Sequence, residues 1–319
     1  MKTTQSKTLR FVGLSLLALG IAAAVVPAPC QDDPRKDLSC REAEPANLGS
    51  SINTAASEFQ MTLTADGHTM YFASNRPGTF GGNDLWVSKR QDRNAPWGPA
   101  VNLGPNINSA ANEAGPFLTP DEHCLYFTSR RPGGLGGSDL WKSCRDNRHE
   151  EFGANPSVNL GPPLNTTFDD DAGAFYVDPS TGLLVIIFPS TRPPNQGDLD
   201  FWTASQNADS TWSDPVPVEE LNTPFREGGH PSISPDGLTI YFTSDRPGGL
   251  GAFDIWASTR ATASDKWSPP VNLGPPINSP SNERGPFLVH DSNLLYFTSD
   301  RAGGFGSDDF YVVRRERPR

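Results

Sequence analysis

Residues 126–141 read YFTSRRPGGLGGSDLW. The glycines at 133, 134, 136 and 137 suggest a loop that cradles a phosphate. Such a loop follows a strand and opens a helix, whose N-terminal N–H groups and positive dipole end hold the anion. Here the glycines run directly into Asp-Leu-Trp-Lys-Ser, which has the pattern of another strand. The stretch also recurs, as YFASNRPGTFGGNDLW at 71–86, YFTSDRPGGLGAFDIW at 241–256 and YFTSDRAGGFGSDDFY at 296–311. A degenerate copy, IFPSTRPPNQGDLDFW, fills 187–202. Five copies of one sixteen-residue pattern describe a structural unit rather than five nucleotide sites.

One full unit reads outward from Glu113. Gly115-Pro116-Phe117-Leu118 forms a first strand, Thr119-Pro120-Asp121-Glu122 a turn, and Cys124 to Ser129 a second strand. The glycine loop returns the chain to a third strand at Asp139-Leu140-Trp141, and a long turn leads to a fourth at Val158-Asn159-Leu160-Gly161. Four antiparallel strands per unit of about 55 residues are the content of one propeller blade. The fourth-strand signature occurs as NLGPNIN at 102–108, NLGPPLN at 159–165, EELN at 219–222 and NLGPPIN at 272–278. It also stands as NLGSSIN at 47–53, before any first strand, whereas the last unit ends after its third. The expected fold is therefore all-β: a five-bladed propeller of four-stranded blades, closed by an N-terminal strand that joins the last blade and removes its open edge.

The whole chain, with 319 residues, 30 Gly, 31 Pro and 10% aromatics, suits a turn-rich all-β protein. One apolar run, Phe11 to Val26, follows Lys2, Lys7 and Arg10 and precedes Val26-Pro27-Ala28, which reads as a secretory signal over 1–28. A linker is expected over 29–45 and the propeller over 46–319. Removing the signal leaves 23 basic and 37 acidic residues, a net charge of −14, which disfavours nucleic acid and anionic membrane surfaces as partners. An exported chain permits disulfides. Cys124 and Cys144 flank one glycine loop at positions held elsewhere by Thr69 with Lys89 and Thr239 with Thr259, so a cross-strand bridge is expected. Cys30 is open to lipidation, to a free thiol or to pairing with Cys40.

Ser234-Pro235-Asp236-Gly237, followed by Leu-Thr-Ile-Tyr-Phe-Thr-Ser, resembles the PD40 or WD40-like β-propeller repeat of the TolB type. The YFxSxRPGGxGxxDLW pattern is similar to the version found in bacterial envelope proteins. The resemblance covers 46–319 and implies an exported protein of the periplasm or outer membrane, or a secreted one.

Three charged positions recur on the face that carries the glycine loops. An acid opens strand one (Glu58, Glu113, Asp171, Glu227, Glu283), an arginine closes strand two (Arg76, Arg131, Arg192, Arg246, Arg301), and an acid opens strand three (Asp84, Asp139, Asp200, Asp254, Asp309). We expect each arginine to fork between the two acids of its own blade, as guanidinium planes favour carboxylates. Catalysis needs one asymmetric set of groups rather than five equivalent ones, so no catalytic residue is expected among them. Candidate ligand or partner contacts are the positions around the channel that break the repeat: Phe59, Gln60, Asp170, Arg226, His230 and Arg284, with Asp169 beside them. No histidine or acid spacing matches a metal site, and no cofactor is expected. The expected function is a secreted, non-catalytic and monomeric scaffold that binds a protein or cell-wall glycan in the envelope, with no membrane span once the signal is cleaved. The alternative is a glycoside hydrolase-like enzyme with carboxylates in the central funnel.

Overall fold

The computed structural model describes residues 44–194, 198–289 and 293–315. The described residues belong to one compact unit. The expected signal segment and most of the expected linker, with Cys30 and Cys40, lie outside the described residues.

Among the described residues, twenty strands form five four-stranded antiparallel sheets. A short strand, Ala46–Asn47 (β1), comes first. Blade 1 follows as Glu58–Leu63 (β2), Thr69–Ser74 (β3), Asp84–Lys89 (β4) and Val101–Asn102 (β5). Blade 2 is Glu113–Leu118 (β6), Cys124–Ser129 (β7), Asp139–Cys144 (β8) and Val158–Asn159 (β9). Blade 3 is Ala174–Val177 (β10), Leu184–Ser190 (β11), Asp200–Ser205 (β12) and Val216–Pro217 (β13). Blade 4 is Glu227–Ile233 (β14), Thr239–Ser244 (β15), Asp254–Thr259 (β16) and Val271–Asn272 (β17). The last sheet contains Glu283–Val289 (β18), Leu294–Ser299 (β19) and Asp309–Arg314 (β20), completed by β1 in the order β1-β20-β19-β18. Ala46 pairs with Val312 and Asn47 with Tyr311, so the expected closure of the ring holds.

Five apolar clusters fill the five seams between blades. In β7, Leu125 and Phe127 pack toward blade 1 and Tyr126 toward blade 3, because alternate side chains leave opposite faces and both faces are covered. This double burial explains the continuous apolar runs on the second strands. The closing seam joins Ile52, Met61, Phe72 and Trp86 to Tyr296 and Phe310 in one buried cluster. Cys124 and Cys144 face each other in the β7–β8 ladder, with Cα atoms 4.1 Å apart, and form the expected disulfide.

The repeated glycines serve close approach. A Cβ on Gly136 would lie 2.0 Å from the Phe168 carbonyl oxygen, and one on Gly306 1.9 Å from that of Ala56. Each glycine loop thus lies against the connector of the next blade, where no side chain fits. The loop opened for inspection by the sequence is an inter-blade joint.

Candidate functional site

The fivefold charge network was partly legible and is partly different. Arg76 Nη2 meets Glu58 Oε1 at 3.1 Å, and the same pair recurs as Arg131–Glu113 at 3.2 Å, Arg246–Glu227 at 2.6 Å and Arg301–Glu283 at 3.0 Å. The side chains of Glu58, Glu113, Glu227 and Glu283 are wholly buried. In blade 3 the partner of Arg192 is Asp170, at 2.5 Å, rather than Asp171. Asp170, expected as a ligand contact, is therefore structural and takes the place in the network expected of Asp171. The local reason is a Ser or Thr four residues before each acid. Thr166 donates its N–H to Asp170 Oδ2 as Ser109 does to Glu113 and Thr54 to Glu58. The spacing alone does not choose between the two acids, because Thr167 stands four residues before Asp171 as Thr166 does before Asp170.

The arginines do not fork between two acids. Arg76 gives Nη2 to the Ile52 carbonyl and Nε to Ser74 Oγ, and its guanidinium stacks over Phe72 and Trp86. The third recurring acid turns the other way and caps the glycine loop. Asp84 accepts from Phe80 N, Asp139 from Leu135 N and Asp254 from Leu250 N, at 2.8–2.9 Å. Asp309 caps its loop through Phe305 N in the same way. Burial raises the carboxyls of Asp139 and Asp254 above the usual range, against the pull of those N–H groups. Arg, Ser and the glutamate thus satisfy one another at the blade tops, while Asp84, Asp139, Asp254 and Asp309 each keep Oδ1 buried without a hydrogen-bond partner.

Two further repeated sets escaped the sequence reading. Asn108 Oδ1 accepts from Leu85 N and its Nδ2 donates to Leu85 O; Asn53, Asn165, Asn222 and Asn278 clamp the equivalent strands in the same way. On the opposite face Arg90, Arg145 and Arg260 stack over Trp97, Phe152 and Trp267. The signal for these arginines is their constant offset of four residues from Trp86, Trp141 and Trp256.

The repeat-breaking positions separate into distinct places. Phe59, Gln60 and Arg284 do come together: with Ser57, Thr298 and Asp308 they line a cavity of about 320 Å³ at the seam of the first and last blades. Arg284 stacks on Phe253 at 4.8 Å and meets Asp308 Oδ1 at 3.4 Å, while Ser57 Oγ donates to Asp308 Oδ2 at 3.1 Å. Arg226 stands elsewhere, exposed and 3.5 Å from Asp198. His230 is not a rim contact. It is buried, with its Nε2 2.9 Å from the Pro116 carbonyl oxygen, so its ring spans the channel from blade 4 to blade 2. Loss of solvent lowers its pKa to about 4, so the imidazole is neutral near pH 7. Asp171, which the sequence assigned to the network, sits apart from it and accepts from Ser138 Oγ at 2.9 Å. Burial and the nearby Asp169 carboxylate raise its pKa, against the Ser138 bond.

Among the described residues no group of three His, Cys, Asp or Glu side chains is placed to hold a metal, and no helix is long and apolar enough to cross a membrane.

The architecture defines a class, the five-bladed β-propeller. No family model matches the chain, and no curated protein matches it. Solved structures do. An α-L-arabinofuranosidase from Lactobacillus brevis is similar at a TM-score of 0.55 and 13% identity, over 85% of this chain and 92% of that one. An endo-arabinase from Bacteroides thetaiotaomicron is similar at 0.53 and 13%, over 86% and 98%. A protein of unknown function from Dyadobacter fermentans is similar at 0.54 and 12%, over 86% and 99%. At these identities the likeness establishes the fold. Against the leading expectation of a non-catalytic scaffold, the neighbours named for an activity are enzymes, an α-L-arabinofuranosidase and an endo-arabinase among them.

Proposed function

We propose that this protein acts on carbohydrate at the channel mouth, as a glycoside hydrolase-like enzyme built from PD40-like repeats. The observation that carries this reading is the cavity at the closing seam, where a carboxylate, a guanidinium and several neutral hydrogen-bonding groups converge in about 320 Å³. That volume is at the small end of ligand pockets. Exposed Phe80 and Phe305 belong to the glycine loops of the two blades that bound it, and they offer ring faces against which a sugar can lie.

The repeated glutamates are unsuited to the chemistry, since each is wholly buried against an arginine. The carboxylates left for it are the non-repeated Asp308, in the cavity, and the Asp169 and Asp171 pair at the seam of blades 2 and 3. Their environments differ: Asp308 lines the cavity and faces a cation, whereas Asp171 stands at another seam and is pushed toward its neutral form by burial. A neutral carboxyl supplies a proton to a leaving oxygen, and an ionised one activates water or stabilises positive charge on the sugar.

The test is release of reducing sugar from arabinan, arabinoxylan and xylan. Asp308→Asn is expected to lower kcat by at least about 100-fold, the lower range of general acid–base contributions, while the melting temperature stays unchanged. Activity that survives both Asp308→Asn and Asp171→Asn refutes the reading.

A further inference from the structure

The inner strands carry a β-bulge in four blades, between Phe59 and Met61, Ala114 and Phe117, Gly228 and Ser232, and Arg284 and Phe287. The bulge requires a left-handed backbone. Blades 2 and 5 meet this with Gly115 at φ 59° and Gly285 at φ 54°, the natural choice because glycine has no Cβ to clash. Blade 1 instead places Gln60 there, at φ 49°. A glutamine in that region is strained relative to glycine, and strain of this kind concentrates where a side chain serves a ligand.

The Gln60 side chain lines the cavity at the closing seam, and its Oε1 is buried with no hydrogen-bond partner in the protein. Thr298, on the opposite wall, is 1% exposed and its Oγ1 is likewise without a partner. The equivalent threonine one blade earlier is satisfied, Thr243 Oγ1 accepting from Gly285 N at 3.1 Å, whereas Thr128 in blade 2 also keeps its Oγ1 buried without a partner. At the closing seam two buried polar atoms are thus left open together, one of them on a bulge residue that is not glycine. Buried polar groups without partners are costly, so a ligand or solvent group is expected to fill the position.

We infer that Gln60 and Thr298 are the hydroxyl-reading residues of the cavity, and that the group they take is a neutral sugar unit; this rests on the carbohydrate reading above. The Gln60 carbonyl accepts from a sugar hydroxyl, and the Thr298 hydroxyl both donates and accepts. The ligand is neutral because the cation in the cavity is already balanced: Arg284 meets Asp308, and the Asp300 carboxylate also feels its charge. A uronic acid would bring a second anion to a pair that needs none, on a protein of strongly negative net charge.

The experiment measures binding of L-arabinose, D-xylose and their linear trimers by titration calorimetry, with D-galacturonic acid as the acidic control. The proteins compared are the wild type, Gln60→Gly and Thr298→Val, and thermal unfolding is followed in parallel. Each variant is expected to weaken the preferred neutral sugar by about tenfold, the loss of one good hydrogen bond. Gln60→Gly, which installs the residue of the sister blades, is expected to raise Tm by about 2 °C. A fall in Tm for Gln60→Gly makes Gln60 a structural residue and overturns the inference whatever the sugar data show. Unchanged affinity in both variants overturns it while leaving the carbohydrate reading intact. Tighter binding of galacturonic acid overturns the neutral class, and absence of wild-type binding to every sugar at tens of millimolar overturns both the inference and the reading beneath it.

Discussion

Replacing His230 by Asn removes a titrating group from the centre of the ring while keeping a side chain that tolerates its left-handed backbone, φ 70°. The His230 ring is 2% exposed, Nε2 donates to the Pro116 carbonyl, and Nδ1 has no partner. Placing a proton on Nδ1 would put an unpaired charge in a dry site beside Gly115, Ala172 and Phe117, and this lowers the pKa to about 4 from 6.5. The folded pKa lies below the unfolded one, so between these values the unfolded chain binds more protons. The stability contributed is complete above about pH 6.5 and is lost as pH falls toward and through 4. A difference of about 2.5 units corresponds to about 3 kcal/mol, of which about 2.5 kcal/mol is gone at pH 4.5. The assay is denaturant unfolding of the wild type and His230→Asn at pH 7.5 and pH 4.5. Carboxylate titrations are common to both proteins and cancel in the comparison. The wild type is expected to lose about 2.5 kcal/mol more than the variant across that interval. Parallel losses, within about 0.5 kcal/mol, a typical limit of additivity, would show that His230 is solvated or already paired, and would refute the plugged channel.

Arg131→Ala strands the wholly buried Glu113 and is expected to destabilise by about 3–5 kcal/mol, read from the denaturation midpoint. Adding Glu113→Gln to it should recover a large part of that loss, because the uncompensated charge is gone. Asn53→Ala removes both bonds to the Phe310 backbone, at 2.9 and 3.0 Å, and should cost about 2–4 kcal/mol. Hydrogen exchange should accelerate first at Phe310 and Val312, where the ring is closed, whereas Asn108→Ala should loosen blade 1. Cys124→Thr combined with Cys144→Lys installs the residues of blade 1 and opens the bond across a separation of 20 residues; a loss of about 3 kcal/mol is expected under oxidising conditions, and none relative to the reduced wild type.

What the sequence determined by itself follows from short-range repetition. The glycine-loop pattern, with its flanking Tyr-Phe and Asp-Leu-Trp runs, marks β7 and β8 and their sisters because a strand buried on both faces is written as an uninterrupted apolar run. NLGSSIN at 47–53 determined the ring closure, since a fourth-strand signature with no strand before it has only the last blade to join. The Cys124–Cys144 pair was legible for the same reason: two positions in register in one hairpin carry cysteine together. Tertiary structure decided matters that depend on direction rather than position. Asp170 and Asp171 are adjacent, and only the backbone path after Thr166 settles which carboxylate turns inward to Arg192. The glycines at 81, 136, 251 and 306 are required by a carbonyl of the next blade, a contact with no trace within the repeat itself. His230 and Gln60 both break the pattern at equivalent bulges. His230 reaches a carbonyl across the channel and is consumed by it, whereas the Gln60 carbonyl oxygen meets no partner and faces the cavity at the seam. Sequence marks where symmetry fails; the distance to the opposite wall decides whether the failure fills a core or leaves a site.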